Sequence, residues 1–248
     1  MAVPAEESLR RRGGFDPRAL VQAILAAVLN GLGRFYFRHG ALIGALSLLG
    51  LVAAVMAIGW LRPVHAWDMI AYLGAVWRDR FPDAAELHSH VYEAVRQAVT
   101  PPEYLTLAEG DTYRLRQSTD PLAFESMIGM YAVKWLYVKL LGLLVPILGA
   151  AKAGYAINIG SAVAFTGVLL WWLRAVGMLN LGPAVVALLL VAGFPALAMA
   201  ETPDLMTSAL MLAAFLLIDR GKAIAGIAML VLGVLTRPDE AAAAGVLM

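Results

Sequence analysis

The sequence predicts an all-α, polytopic membrane protein, and three observations predict it. Mean hydropathy is +0.75 and 61% of residues are hydrophobic, more than a soluble domain of this size carries. Ala41–Leu61 runs for 21 residues without a charge, the length a helix needs to cross a bilayer. The apolar stretches do not alternate with polar residues, so they do not read as barrel strands. The lipid bilayer is therefore the first expected partner. A net charge of +1, with no basic stripe interleaved with aromatics, speaks against nucleic acid. With no cysteine in the chain, disulfides, thiolate metal sites and cysteine nucleophiles are excluded.

Residues 1–40 read as a cytoplasmic Arg-rich tail followed by an interfacial helix. Arg10, Arg11, Arg12, Arg18, Arg34 and Arg38 precede the first strong span and place the N-terminus in the cytoplasm. Residues 1–14 are polar and expected to be disordered. Ala19–Gly33 is apolar for 15 residues, short for a span, and is expected to lie along the membrane face. Residues 41–61 are the first transmembrane helix. They start too late, and run too long, for the core of a cleaved signal.

Residues 62–152 form an extracytoplasmic loop with surface and juxtamembrane helices. Asp68, Asp79, Asp83, Glu86, Glu93, Glu103, Glu109, Asp111, Asp120 and Glu125 all fall in it. Asp83, with Glu86 three residues on, starts a helix. Leu87, Val91, Ala94, Val95 and Ala98 give that helix an apolar stripe. Pro101-Pro102 ends it, and Asp120-Pro121 opens the next segment.

Tyr131–Ala151 decides the topology. It is apolar but holds Lys134, Lys139 and Pro146. If it crosses the membrane, Arg174, Arg220 and Lys222 lie outside. If it stays at the outer surface or re-enters, those cations are cytoplasmic and the acidic pairs Glu201/Asp204 and Asp239/Glu240 are external. The positive-inside rule prefers the second arrangement.

Residues 153–248 complete the bundle. Ala153–Leu173 ends in an interfacial Trp171-Trp172 pair, and Leu181–Ala200 contains Pro183 and Pro195. Leu205–Ile218 and Ala223–Thr236 hold 14 uncharged residues each, about 21 Å of helix. Such short helices span only if their acidic ends sit in a polar cavity shielded from lipid. On that reading Asp204 and Asp239 line a cavity; the alternative is a buried hairpin. The apolar run Ala241–Met248 reads as the start of a further helix, so the bundle is expected to be incomplete at its C-terminus.

Carboxylates at membrane edges are costly and usually functional. Asp68 opens the external loop and suits a general base, with Tyr72 one helical turn on to orient the carboxylate or a substrate. An interfacial helix cap is the plainer account of Asp68. Asp204 begins a helix and can equally be a cap. His65, three residues before Asp68, is placed to modulate it. His88 and His90 lie about 200° apart on a helix and cannot grip one ion, so no metal site is assigned there. Neither a serine nucleophile elbow nor a phosphate-binding glycine loop is present.

A cytoplasmic N-terminus, one helix and an external loop opening with Asp68 resemble the GT-C superfamily of polyprenyl-phosphate-dependent glycosyltransferases. Its members include the protein O-mannosyltransferases, the aminoarabinose transferases and the catalytic subunit of oligosaccharyltransferase. Pro195 followed by Glu201-Thr202-Pro203-Asp204 is similar to the family's second external acidic motif. Gly226–Glu240, ending in Leu235-Thr236-Arg237-Pro238-Asp239, is similar to its small-residue-rich helix closed by a basic residue and proline. The resemblance covers roughly residues 41–240.

The resemblance implies a GT-C-like bundle in the inner membrane of the cell envelope. It implies inverting transfer of a sugar from a polyprenyl-phosphate donor to an acceptor outside the cytoplasm. Asp68 would be the base. Lys134 and Arg237 would meet the lipid phosphate, whose charge grows as it leaves, and Tyr72, Asp204 and Asp239 would complete the substrate site. For Lys134 the plainer account is snorkelling to headgroups; for Arg237 it is pairing with Asp239 or Glu240. Glu-Thr-Pro-Asp departs from a compact Asp-x-Asp, so a divalent cation is an option rather than a requirement, and no metal ligand is assigned. Two other classes stand beside this one. A non-catalytic scaffold would present the loop to partners. A transporter would carry midplane charges and internal repeats, whereas here the acids sit at span ends and no repeat is visible.

Overall fold

The computed structural model describes residues 17–242 and Gly245. The Arg-rich stretch 1–14, and the run 241–248 apart from Ala241, Ala242 and Gly245, lie outside the described residues. Among those described, the protein is all-α, with twelve α-helices and no strand.

Helix α1 spans Pro17–Leu61, 45 residues. The interfacial helix and the first span, expected as two elements, are therefore one. Propagation continues between them: 34–40 holds no proline, its glycine, Gly40, stays helical rather than turning left-handed, and each added residue gains a backbone bond. At 1.5 Å per residue α1 is roughly 68 Å long, about twice a hydrocarbon core. Its second half packs through Leu48, Val52 and Val55, while Leu25, Leu29 and Leu32 in its first half stay exposed.

The loop domain is five short helices: α2 Asp68–Trp77, α3 Ala84–Ala98, α4 Pro101–Glu109, α5 Thr112–Thr119 and α6 Pro121–Ala132. Several of its acids are caps. Asp83 accepts from the Ala85 and Glu86 amides at 2.9 Å, Asp111 from Arg114 at 2.8 Å, and Asp120 from Leu122 and Ala123. Pro101-Pro102 does more than end α3: it forms the first turn of α4, where a missing N–H costs nothing. The apolar stripe of α3 buries Leu87, Val91 and Val95 against Ile70, Leu73, Phe124 and Ile128.

Helix α7, Trp135–Leu148, leaves α6 at 111°. Helix α8, Ala150–Ala175, then runs straight for 26 residues. A 3-10 turn at Leu179–Leu181 leads into α9, Gly182–Val191, and α10, Phe194–Met199. The span expected over 181–200 is thus broken, at Gly193, where φ is +79° and Pro195 restarts the chain as helix. Helices α11, Asp204–Asp219, and α12, Ala223–Thr236, form a hairpin through Gly221. The hairpin is not buried, since α12 turns Ile224, Ile227 and Val231 outward. Two helices, α1 and α8, are long and apolar enough to cross a membrane, and the bent α6–α7 pair makes a third if taken as one span.

Close approaches fix the helix directions. Gly44 lies against the backbone of Leu179 and Gly182, with no room for a Cβ, and Gly59 lies against Tyr155 and Met199. So α1 and α9–α10 run one way, and α8 and α11 run back. Arg174, Arg220 and Lys222 fall at one end of the bundle. The 62–68, 131–134, 200–204 and 236–239 segments fall at the other, against the loop domain.

Candidate functional site

Asp68 sits at the first position of α2, half-buried, and its side chain caps no amide. Its Oδ1 accepts a 2.6 Å hydrogen bond from the Tyr131 hydroxyl at the end of α6. Its other oxygen, Oδ2, carries no hydrogen bond among the described residues. The cap account of Asp68 therefore gives way to a carboxylate held from one side and open on the other. Burial and the Asp68 contact push the Tyr131 hydroxyl well above its ordinary range, so it stays a donor.

Tyr72 does not face Asp68 as the one-turn spacing suggested. It is buried, and its hydroxyl accepts from Lys134 Nζ at 2.7 Å. Lys134 caps the bend between α6 and α7 and lies 5.1 Å from the ring centres of both Tyr72 and Tyr131. Those rings meet edge to face at 5.0 Å, backed by Tyr137 and Trp67. The two rings cradle the ammonium. Burial lowers the Lys134 pKa, opposed by the charges of Asp68, Asp204 and Asp239. Among the described residues, Lys134 forms no ion pair with a carboxylate.

Arg237 is engaged differently. Its Nη1 bonds Asp204, and its Nε and Nη2 bond the two oxygens of Asp239 at 3.2 and 2.5 Å. The expected Asp239 pairing is present, and Asp204 joins it from α11. Asp204 opens α11 without capping an amide and accepts from Thr202 at 2.7 Å. The fork to Asp239 lowers the Asp239 carboxyl and raises Arg237. Three carboxylates and two cations thus converge from four separated segments, and Lys134 feels the charge of every other member.

An apolar cavity of about 420 Å³ lies between α7, α8, α11 and α12. Leu140, Ile157, Gly160, Met206, Leu210 and Met229 line it. Met206, two residues after Asp204 on α11, is the lining residue nearest to the charged cluster in that helix.

No three His, Asp or Glu side chains among the described residues group as a metal would require. Asp204 and Asp239, the carboxylates nearest to such a role, already share Arg237. No step is assigned to a divalent cation here. His88 bonds the Gln117 carbonyl at 3.0 Å and His90 stacks between Trp77 and Phe81, so the two point apart as helix geometry requires.

The structure brings together Asp68, Tyr72, Lys134, Asp204, Arg237 and Asp239. Two features were not read from the sequence. Tyr131 is the hydroxyl that holds Asp68, and the Tyr131–Lys134 spacing at an apolar segment boundary was its only signal. His65 contacts Glu201 rather than Asp68. Comparison with family models, with curated proteins and with solved structures finds no match.

Proposed function

We propose that this protein is an inverting, GT-C-type glycosyltransferase that moves a sugar from a polyprenyl phosphate to an acceptor hydroxyl on the extracytoplasmic side of the inner membrane. One observation carries the reading: a half-buried carboxylate, an aromatic-caged ammonium and a carboxylate–arginine cluster converge at one end of helices α7, α8, α11 and α12, whose apolar flanks enclose a cavity that suits an isoprenoid tail. Asp68 Oδ2 takes the acceptor proton as the hydroxyl attacks the anomeric carbon. The sugar–phosphate bond breaks on the opposite face, so configuration inverts. Lys134 meets the phosphate as its charge grows. Arg237, already balanced by two carboxylates, positions Asp204 and Asp239 for the sugar or acceptor. A scaffold has no use for this convergence, because a surface that only presents the loop needs no charges drawn in from α11 and α12.

The test is transfer from a polyprenyl-phosphate sugar in proteoliposomes. Asp68→Asn is expected to abolish transfer while donor binding persists. Near-normal turnover by that variant removes Asp68 as the base, and absence of transfer by the unaltered chain overturns the proposed activity.

A further inference from the structure

We propose that His65 and Glu201 form a clamp that sets the separation of the two carboxylate arms of the site, and are its positioning residues; their role in a site rests on the glycosyl-transfer reading. Two segments outside the helices, 63–67 and 200–203, carry these residues. Each stands three residues before a carboxylate of the cluster: His65 before Asp68, and Glu201 before Asp204. His65 Nδ1 and Glu201 Oε1 share a hydrogen bond at 3.2 Å, and the side chains are only 4% and 1% exposed. At that burial the contact is a sealed link rather than a surface ion pair.

Helix α8 anchors both partners. Tyr155 accepts from the Val64 amide at 2.9 Å, and Asn158, fully buried, donates to the Ala200 carbonyl. Gly154, one turn before Asn158, leaves the seat for Glu201: a Cβ there would come within 3.2 Å of Glu201 Cβ. With α8 as base and the clamp as crosspiece, the starts of α2 and α11 are held at one spacing.

The arrangement is a poor choice for stability alone. Asn158 Oδ1 is buried without a hydrogen-bond partner among the described residues, and Glu201 is a buried carboxyl that only His65 and the Ala66 amide offset; both are costly. An apolar pair of similar volume fills the same space without them. A titratable pair that fixes geometry accounts for their presence.

The clamp is also proton-dependent. Burial opposes the charge on His65, but Glu201 outweighs it and raises His65, with Glu103 of α4 adding in the same sense. Tyr155 of α8 faces His65 edge-on at 6.3 Å. Burial raises Glu201, against the bond from His65, and Tyr137 of α7 lies within its field. Both shifts are upward, so the folded pair holds its proton more tightly than the unfolded chain. The His65 part is whole below the ordinary histidine range and the Glu201 part below the ordinary carboxylate range, and each is lost as pH rises through its raised value.

Hydrogen exchange by mass spectrometry on the full 248-residue chain in nanodiscs tests this. Glu201→Gln is expected to speed exchange across 64–72 about tenfold, and His65→Asn to do the same across 202–208, each acting through the clamp on the other segment. In the unaltered chain both segments loosen together between pH 6 and 9, after correction for intrinsic rates, and in either variant that dependence disappears. Changes confined to the substituted segment, or no shared pH dependence, overturn the clamp. Should Glu201→Gln fail to fold, His65→Asn and the pH series decide the same question. Exchange does not require transfer, so Asp68→Asn can fail its test while this one stands. In the transfer assay, Glu201→Gln is expected to flatten the alkaline limb of the pH profile, and an unchanged limb overturns the positioning role.

Discussion

The two ends of the bundle use charge in opposite ways. At the Arg174–Lys222 end, chain reversals close on themselves. Gly177 and Gly221 both adopt φ of +71°. After α8, Met178 N–H reaches back to the Leu173 carbonyl at 2.8 Å, and after α11, Lys222 N–H reaches the Leu217 carbonyl at 2.8 Å. The charges there are local: Arg220 meets its neighbour Asp219 at 3.8 Å, in the open. At the other end the charged groups of the site are satisfied within their own turn only through the Arg237–Asp239 fork and the Thr202 bond to Asp204. Asp68 is held by Tyr131, Lys134 by Tyr72, Asp204 by Arg237 and His65 by Glu201. Long-range pairing of charged side chains is confined to one end; at the other the long-range polar contact is that of the Tyr36 hydroxyl with the Asn180 carbonyl. That asymmetry separates a working surface from a set of chain reversals.

Four substitutions break or sharpen the contrast. The largest expected effect is that of Asp68→Asn, a loss of transfer of at least about 100-fold, as for removal of a general base, with donor binding retained in a lipid-exchange assay. Lys134→Met comes next. Losing a charged hydrogen-bond donor weakens donor binding by about 10- to 100-fold, read as a rise in KM for the polyprenyl-phosphate sugar. Gly44→Ala acts at the opposite end. A methyl there collides with the Leu179 carbonyl, and the expected cost is about 1–3 kcal/mol in reversible detergent unfolding, while the folded fraction keeps full transfer. Arg220→Ala, which removes only an exposed contact, is expected to change neither stability nor transfer measurably. Loss of transfer in either of the last two without loss of folding would erase the distinction between the ends.

Much of this was legible in the sequence, because helix ends in a membrane advertise themselves through charge. The grouping of Asp68, Asp204 and Asp239 away from Arg174, Arg220 and Lys222 followed from charge counting alone. Asp83 and Asp120 were readable as helix starts because capping is local. Pairings across the fold were not legible. Tyr72 shares a helical face with Asp68 by spacing, yet the 111° turn between α6 and α7 brings Lys134 to its hydroxyl and gives Asp68 to Tyr131, 63 residues away. His65 stands beside Asp68 in sequence but bonds Glu201, 136 residues on. Two backbone features also escaped. Helix α1 runs unbroken because nothing in 34–40 halts it, and the 181–200 segment breaks at Gly193 because a left-handed glycine precedes Pro195.

The absence of cysteine makes any introduced thiol a unique reporter of sidedness. Glu109→Cys on the loop domain, Ala241→Cys beside the Arg237–Asp239 pair and Arg220→Cys at the far turn all replace exposed residues. With a membrane-impermeant maleimide added to intact cells stripped of their outer barrier, positions 109 and 241 are expected to label at once, and position 220 only after the membrane is opened. Labelling of position 220 from outside, or protection of 241 while 109 reacts, would mean that the acidic tips do not share one compartment.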